Sequence, residues 1–185
     1  EADVLIVGAG PSGTACALQL RNAGLSVTIL DKAGFPRDKT CGDALSVDVV
    51  NQLTLISPEL AEAFEYFTPK VSSYGVRIVA PNQQHIDIPF YHQGKEKCGY
   101  LCTRFDFDNL LVQQLKKSHH ITLVENCQIK KIETSTDHIK ATTDEGVFVA
   151  KMMIGADGAQ SVVAKFLGTS TMERKHHSAG LRVYY

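Results

Sequence analysis

The sequence of 185 residues predicts an α/β fold built around a mostly parallel sheet, and its N-terminal segment carries most of the evidence. Residues 4–7 form a short branched apolar run, as expected of a strand that is covered on both faces. A glycine turn follows, with Gly8, Gly10 and Gly13 in G-x-G-x-x-G spacing, and a helix comes next. A second apolar run at 26–30 completes a strand–helix–strand unit.

Each residue of the glycine turn has a physical reason to be there. Gly8 allows the tight turn, Gly10 lets a pyrophosphate approach the bare backbone, and Gly13 lets the helix lie close to the strand. Pro11 suits the first helical turn, where a missing N–H costs nothing. The free N–H groups and the positive end of the helix dipole would then face the phosphates of a dinucleotide.

Asp31 directly follows the second strand, at the place where an acidic side chain accepts hydrogen bonds from an adenosine ribose. Its charge would repel a 2′-phosphate at this position. The alternative is a glycine-rich turn that binds nothing, with Asp31 as a solvated strand end. The coincidence of strand, glycine turn, helix and acidic residue favours the dinucleotide interpretation.

The composition argues against several classes of function. Hydrophobic residues make up 44% and charged residues 21% of the chain, which is ordinary for a globular protein. A formal net charge of -1 gives no electrostatic case for a nucleic-acid partner. We find no apolar run of transmembrane length and expect no signal peptide. The five cysteines are scattered without a C-x-x-C pair, which predicts a reduced, cytoplasmic compartment and no metal site.

The segment after Asp31 departs from a simple alternation of strands and helices. Residues 32–44 lack apolar periodicity, so we expect a long functional loop. Two short helices are predicted next, one over 46–55 with Ser46 as its cap and one that begins after the cap Ser57.

The remainder of the chain is mostly β. A hairpin is predicted from 74–80 and 85–90, where apolar and polar residues alternate, and a β-meander from the segments between 127 and 150. Asp106 is expected to cap a helix that reaches residue 118, and a further helix is expected at 159–167. Apolar residues from 179 to 185 begin a strand, so we expect the sequence to be the N-terminal part of a longer protein.

Three motifs now stand together: the glycine turn with Asp31, the loop Phe35-Pro-Arg-Asp-Lys-Thr-Cys-Gly-Asp-Ala-Leu45, and Gly155-Ala-Asp-Gly-Ala-Gln-Ser161. Their combination resembles the FAD-dependent oxidoreductases of the geranylgeranyl reductase family. That family lies in the larger group that includes para-hydroxybenzoate hydroxylase and the flavin-dependent halogenases. The resemblance covers nearly the whole chain, and its most specific part is the loop, which is similar to the family's P-R-x-K-x-C-G segment beneath the flavin.

The resemblance implies a Rossmann-like FAD/NAD(P)-binding fold with a parallel sheet, a β-meander and the start of an antiparallel substrate-domain sheet. The FAD-binding domain would comprise residues 1–70 and 98–170. Residues 71–97 and 171–185 would be β segments of an incomplete substrate domain. FAD is favoured over NAD because its flavin end must be held well beyond the first helix, and the loop after Asp31 can supply that contact.

The resemblance also implies which residues meet the cofactor. Cys41, Gly42 and Ala44 would lie along the ribityl chain and the flavin ring, Arg104 would contact FAD, and the backbone at Gln128 would recognise the adenine. In full, we predict cofactor contacts at Gly8, Gly10, Pro11, Ser12, Gly13, Asp31, Lys32, Arg37, Cys41, Gly42, Ala44, Arg104, Gln128, Asp157 and Gly158. The sequence assigns no catalytic residue.

Three of these residues have alternative interpretations. Arg104 stands at a helix start, where a cation is mildly unfavourable, so we expect it to have a partner. Asp157, followed by Gly158, would fix water or the ribityl–pyrophosphate region, and the alternative there is a plain turn. Cys41 is interpreted as a flavin-packing residue rather than a nucleophile, because no histidine is near it in sequence to act as a base.

The function implied by the resemblance is that of an FAD-dependent oxidoreductase that reduces isoprenoid, geranylgeranyl-type carbon–carbon double bonds through reduced flavin. NAD(P)H is a candidate electron donor. The partner would be a small-molecule or lipid isoprenoid substrate, which would bring a cytoplasmic protein into peripheral contact with a membrane. An FAD-dependent monooxygenase or halogenase and a non-catalytic FAD-binding module remain open as alternatives, and a plain NAD-dependent dehydrogenase is a more distant one.

Overall fold

The computed structural model describes residues 1–92, 94–169, 174–176 and 178–184. In chain order the strands are β1 (Ala2–Val7), β2 (Val27–Leu30), β3 (Ala44–Leu45), β4 (Val71–Ser73), β5 (Gly75–Val79), β6 (His85–Pro89), β7 (Tyr91–His92), β8 (Lys95–Glu96), β9 (Gly99–Leu101), β10 (Ile121–Val124), β11 (Ile129–Thr134), β12 (Ile139–Thr143) and β13 (Val147–Gly155). The helices are α1 (Pro11–Leu20), α2 (Val49–Ile56), α3 (Pro58–Glu65), α4 (Arg104–Leu115) and α5 (Val162–Phe166), with a 3-10 turn at Arg174–His176.

The main sheet has six strands in the order β10-β2-β1-β13-β12-β11. The strands β10, β2, β1 and β13 are parallel, and β12 and β11 continue the sheet antiparallel. The strand β13 belongs to both halves, since it pairs parallel with β1 and antiparallel with β12. This arrangement confirms the predicted α/β fold with a parallel sheet and a β-meander.

Side chains of β1 alternate between two cores, as the two-residue period of a strand requires. Val4 and Ile6 pack into the core beneath α1–α4, together with Leu115. Leu5 and Val7 pack into the core on the other side, which α5 helps to cover. Fully burying one such side chain contributes about 1.5–3 kcal/mol, so the sheet is held from both faces.

The strands between α3 and α4, together with β3 from before α2, form smaller sheets. The strands β3, β9 and β4 make an antiparallel three-stranded sheet, and β5 pairs with β6 in the predicted hairpin. Pro89 is the last residue of β6, consistent with a strand end. The hairpin exposes Val76, Ile78, Ile86 and Ile88, each by about half or more of its surface.

The predicted caps of two helices are wrong by two or three residues. The helix α2 begins at Val49 rather than near Ser46, because the Ser46 carbonyl accepts the Val49 N–H in a turn that precedes the helix. The helix α4 is capped by Thr103, whose side-chain oxygen accepts the Asp106 N–H at 3.2 Å. Asp106 is therefore the third helical residue, and its carboxylate accepts the Thr103 hydroxyl at 2.5 Å.

Two predictions for the C-terminal part are also corrected. The helix expected at 159–167 is limited to α5, because residues 158–161 form a turn in which the Ser161 N–H donates to the Gly158 carbonyl at 3.1 Å, and Ser161 caps the helix. Residues 178–184 form no strand, since they contact a loop through side chains and pair with no other strand in the described part of the chain. Residue 185 lies outside the described residues. Within the described ranges, no helix has the length and apolarity that crossing a bilayer demands.

Candidate functional site

The carboxyl ends of the parallel strands meet at one edge of the main sheet, where a cavity of about 650 Å³ opens. Open α/β sheets bind ligands at this edge, and small-molecule pockets measure roughly 300–1,000 Å³. The predicted site residues that line the cavity are Gly8, Gly10, Pro11, Ser12, Asp31, Lys32, Arg37, Arg104, Gln128, Asp157 and Gly158. The structure therefore brings together residues from all three sequence motifs.

Four predicted residues are not among those that line the cavity. Gly13 lies beneath it in α1, where an added Cβ would stand 1.9 Å from the Gly8 carbonyl oxygen. This contact is the close approach of helix and strand that the glycine spacing predicts. Cys41, Gly42 and Ala44 lie further along the loop whose earlier residues Arg37, Asp38 and Lys39 line the cavity.

The glycine turn is shaped by its neighbours. Gly8 has φ +98, and an added Cβ would stand 2.5 Å from the Ala156 carbonyl oxygen. Any side chain at Gly8 is thus excluded both by backbone conformation and by contact with the third motif. Gly10 differs, because an added Cβ would meet nothing closer than the guanidinium nitrogens of Arg37 and Arg104, each at 3.7 Å. The backbone at Gly10 is accordingly bare on the side that faces the cavity.

Asp31 holds the glycine turn against the end of β2. Its Oδ2 accepts the Ala9 N–H at 2.7 Å and its Oδ1 accepts the Ala33 N–H at 2.9 Å. The residue is 7% exposed, so the interpretation of Asp31 as a solvated strand end is wrong. Each carboxylate oxygen keeps a second lone pair, so the geometry still allows Asp31 to accept a ribose hydroxyl.

A buried carboxylate that the sequence analysis missed organises the two arginines of the site. Asp108 of α4 is fully buried, and its oxygens accept from Arg104 Nε at 2.6 Å and Nη2 at 2.7 Å. The Arg37 guanidinium lies 3.2 Å from the same carboxylate and 3.9 Å from that of Asp31. The expected partner of Arg104 is therefore Asp108, and the i,i+4 spacing of the two on one helix was the available signal.

The site therefore fits an anionic group at the start of α1. The N-cap residue Gly10 has no side chain to accept the first-turn N–H groups, and helix N-termini of this kind bind phosphates. Two guanidinium groups, which match phosphate oxygens better than ammonium groups do, lie beside Gly10 in fixed positions. These observations agree with the diphosphate of a dinucleotide cofactor.

Asp157 and Gln128 also line the cavity. Asp157 accepts the Ser161 hydroxyl at 2.6 Å and the Val162 N–H at 2.5 Å, so its carboxylate holds the cap residue Ser161 and the first residue of α5. These two contacts fix the position of Asp157 in the cavity wall. The backbone N–H of Gln128 donates to Asp144 Oδ1 at 3.0 Å, and an adenine at this position would compete with Asp144 for that N–H.

The thiol of Cys41 is exposed, and its pKa is lowered from the ordinary value. The backbone N–H of Asp43 is the main cause that lowers the pKa of Cys41, partial burial opposes it, and the Arg104 guanidinium adds to the lowering. By contrast, burial raises the pKa of Cys102 to about 11. The two thiols are thus expected to differ strongly in reactivity, because the thiolate is the reactive form.

Alkylation by iodoacetamide should reach Cys41 first. Because the pKa of Cys41 is lowered, its alkylation rate should rise with pH around a midpoint below the ordinary thiol value of about 8.5. The buried Cys102 should stay unlabelled. Peptide mass spectrometry across a pH series measures both rates. Arg104→Gln should move the Cys41 midpoint upward, and an unchanged midpoint would contradict the assigned contact.

Three comparisons with known proteins bear on this site. The model of a family described as FAD binding domain matches residues 1–183. The menaquinone reductase of Mycolicibacterium smegmatis is 26% identical over 186 residues, which cover 100% of this chain and 44% of that protein. The geranylgeranyl diphosphate reductase of Rhodobacter capsulatus is 30% identical over 173 residues, which cover 87% of this chain and 38% of that protein. The chain thus spans less than half the length of these relatives.

A solved structure has the same fold. The crystal structure of halogenase PltM in complex with phloroglucinol and FAD matches 90% of this chain and 36% of its own, with a TM-score of 0.74 and 23% sequence identity. At this identity the likeness concerns the fold alone.

Proposed function

Since this chain belongs to the family of FAD-binding domains, we propose that FAD binds in the cavity at the carboxyl edge of the parallel sheet. The observation that carries the proposal is the bare turn at Gly10 with two arginines fixed beside it. The diphosphate would lie at the start of α1, near Arg37 and Arg104. The adenine end would lie toward Gln128, and the flavin end toward the loop that contains Cys41.

The residues of this chain would bind and orient the cofactor. The N–H groups of the first turn of α1 and the two guanidiniums would offset the diphosphate charge. Asp31 would accept a ribose hydroxyl while it continues to hold the glycine turn. Bound FAD supplies the redox chemistry, and the protein supplies position and electrostatics.

The whole protein is proposed to be an FAD-dependent oxidoreductase that reduces isoprenoid carbon–carbon double bonds, with NAD(P)H as electron donor. Two things support this reaction: the similarity to a geranylgeranyl diphosphate reductase and the loop Phe35-Pro-Arg-Asp-Lys-Thr-Cys-Gly-Asp-Ala-Leu45. Residues 71–97 and 171–185 are proposed to belong to a substrate domain. The apolar side chains that the β5–β6 hairpin exposes are consistent with a surface that more of the protein would cover.

The test uses the full-length protein. We expect it to purify with, or to take up, one FAD per chain and to show flavin absorbance bands. Under anaerobic conditions NADPH should bleach these bands, and a geranylgeranyl substrate should restore them while mass spectrometry detects the saturated product. A colourless, correctly folded protein that takes up no added FAD would refute the proposal.

A monooxygenase or halogenase is the second candidate, because the group that the sequence resembles includes a hydroxylase and the flavin-dependent halogenases, and the same FAD motifs serve both kinds of reaction. It predicts that turnover requires oxygen and that the anaerobic protein stops after flavin reduction. The non-catalytic module predicts bound FAD that no donor reduces. The same anaerobic titration therefore separates the three functions.

A further inference from the structure

The described C-terminal segment, residues 178–184, lies across the loop that borders the cavity. Arg182 Nη2 donates to both oxygens of Asp38, at 2.7 and 2.6 Å. Its Nη1 donates to the Lys39 carbonyl at 3.1 Å and to Asp43 Oδ1 at 3.3 Å. The Tyr184 hydroxyl also donates to Asp43. The Arg182 guanidinium lies over the Tyr184 ring, with its Cζ 4.6 Å from the ring centroid. One guanidinium therefore serves three acceptors on a loop that has no regular structure of its own.

Asp43 connects this contact to the cofactor site. Its backbone carbonyl accepts the backbone N–H of Cys102 at 2.8 Å, and its side-chain Oδ1 accepts the backbone N–H of Arg104 at 3.3 Å. Asp43 also has φ +54, a conformation that a residue other than glycine adopts at a cost unless its surroundings hold it. A continuous series of contacts thus runs from Arg182 through Asp43 to Arg104 at the start of α4.

The positive charge of Arg182 also affects the electrostatics near the cavity. Asp38 lines the cavity, and Asp43 stands at the far end of the same loop. Asp38 therefore lies on the side where an anionic cofactor is proposed to bind. With Arg182 in place the Asp38 charge is offset, and without Arg182 that charge would repel a diphosphate.

We propose that Arg182 is a positioning residue, which clamps residues 36–43 against the start of α4 and so holds the cofactor-facing loop in place. The cofactor part of this inference rests on the function proposed above. The clamp itself does not, because it is defined by contacts within the chain. Cys41 lies inside the clamped segment, and it reports loop position through its contacts with the Asp43 N–H and Arg104.

The test compares Arg182→Gln and Asp38→Asn with the control Arg77→Gln in the full-length protein. The control removes an exposed arginine–aspartate ion pair on the hairpin, in which Arg77 Nε and Nη2 donate to Asp87 at 2.6 and 2.8 Å. Both clamp variants should raise the pH midpoint of Cys41 alkylation. Arg182→Gln, which also leaves the Asp38 charge uncompensated, should weaken FAD binding by about threefold to tenfold, as expected for losing a charge-assisted contact. The control should change neither, and the Arg182→Gln, Asp38→Asn double variant should lose no more than the single ones.

The outcomes separate the two proposals. Asp38 is 61% exposed in its side chain, so Asp38→Asn tests the clamp even where Arg182→Gln fails to fold. An alkylation profile that matches the control in both variants would overturn the clamp. A shifted profile with unchanged FAD affinity in Arg182→Gln would overturn its role toward the cofactor. Failure of the unmodified protein to bind FAD would refute the proposed function, while the alkylation shift would still support the clamp.

Discussion

Replacing Asp108 with asparagine is expected to lower the free energy of unfolding by about 3–5 kcal/mol, the usual cost of removing one partner of a buried ion pair. Asp108 is fully buried, and it is bonded to Arg104 and lies 3.2 Å from Arg37. Asparagine keeps the size of the side chain but leaves two guanidiniums without a full counter-charge. Urea unfolding monitored by circular dichroism measures the loss.

Asp108→Asn should also weaken FAD binding, because both arginines that border Gly10 are held by this carboxylate. The matched control is Asp87→Asn. Asp87 accepts Arg77 at 2.6 and 2.8 Å, nearly the distances of the Arg104–Asp108 pair, but its side chain is 54% exposed. Water and salt screen exposed pairs, so the control should unfold like the unmodified protein. Equal unfolding free energies and equal FAD affinities of the two variants would contradict the claim that burial makes the Asp108 ion pair more stabilising than an exposed one.

The N-terminal half of the site was predictable because local sequence determines it. Gly13 has no room for a side chain because its Cβ would stand 1.9 Å from the Gly8 carbonyl oxygen, and this contact is made within one strand–helix unit. The position of Asp31 at the end of β2 was predictable for the same reason. Its hydrogen bond to the Ala9 N–H was not, because it links two segments that only the parallel sheet brings together.

The remaining contacts depend on tertiary structure. Nothing near Asp108 in sequence indicates Arg37, since the loop and α4 meet only in the folded chain. The same holds for Arg182, which is bonded to Asp38 at a sequence separation of 144 residues. Helix starts were misplaced where two residues of capping type compete, as with Thr103 and Asp106. Local patterns thus predicted most of the elements and the glycine turn, and long-range charge pairing decided how Arg37 and Arg182 are placed.

The substitution Gly13→Ala is expected to disrupt the fold of the nucleotide-binding unit. The new Cβ would stand 1.9 Å from the Gly8 carbonyl oxygen and 3.3 Å from an Ile6 methyl group. Since the first of these atoms belongs to the backbone, α1 must move away from β1, and overpacking of this kind costs about 3 kcal/mol or more. Thermal unfolding should show a large drop in the melting temperature, and the variant should bind no FAD.

Gly10→Ala separates the two roles of the glycine turn. Gly10 has φ -71, which alanine adopts without strain, and its new Cβ would meet nothing closer than 3.7 Å. The variant should therefore unfold like the unmodified protein. The added methyl group would stand between the backbone and the two guanidiniums, where the diphosphate is proposed to lie, so FAD affinity should fall by about tenfold or more. Isothermal titration with FAD measures the difference, and undiminished binding by a folded Gly10→Ala variant would place the diphosphate elsewhere.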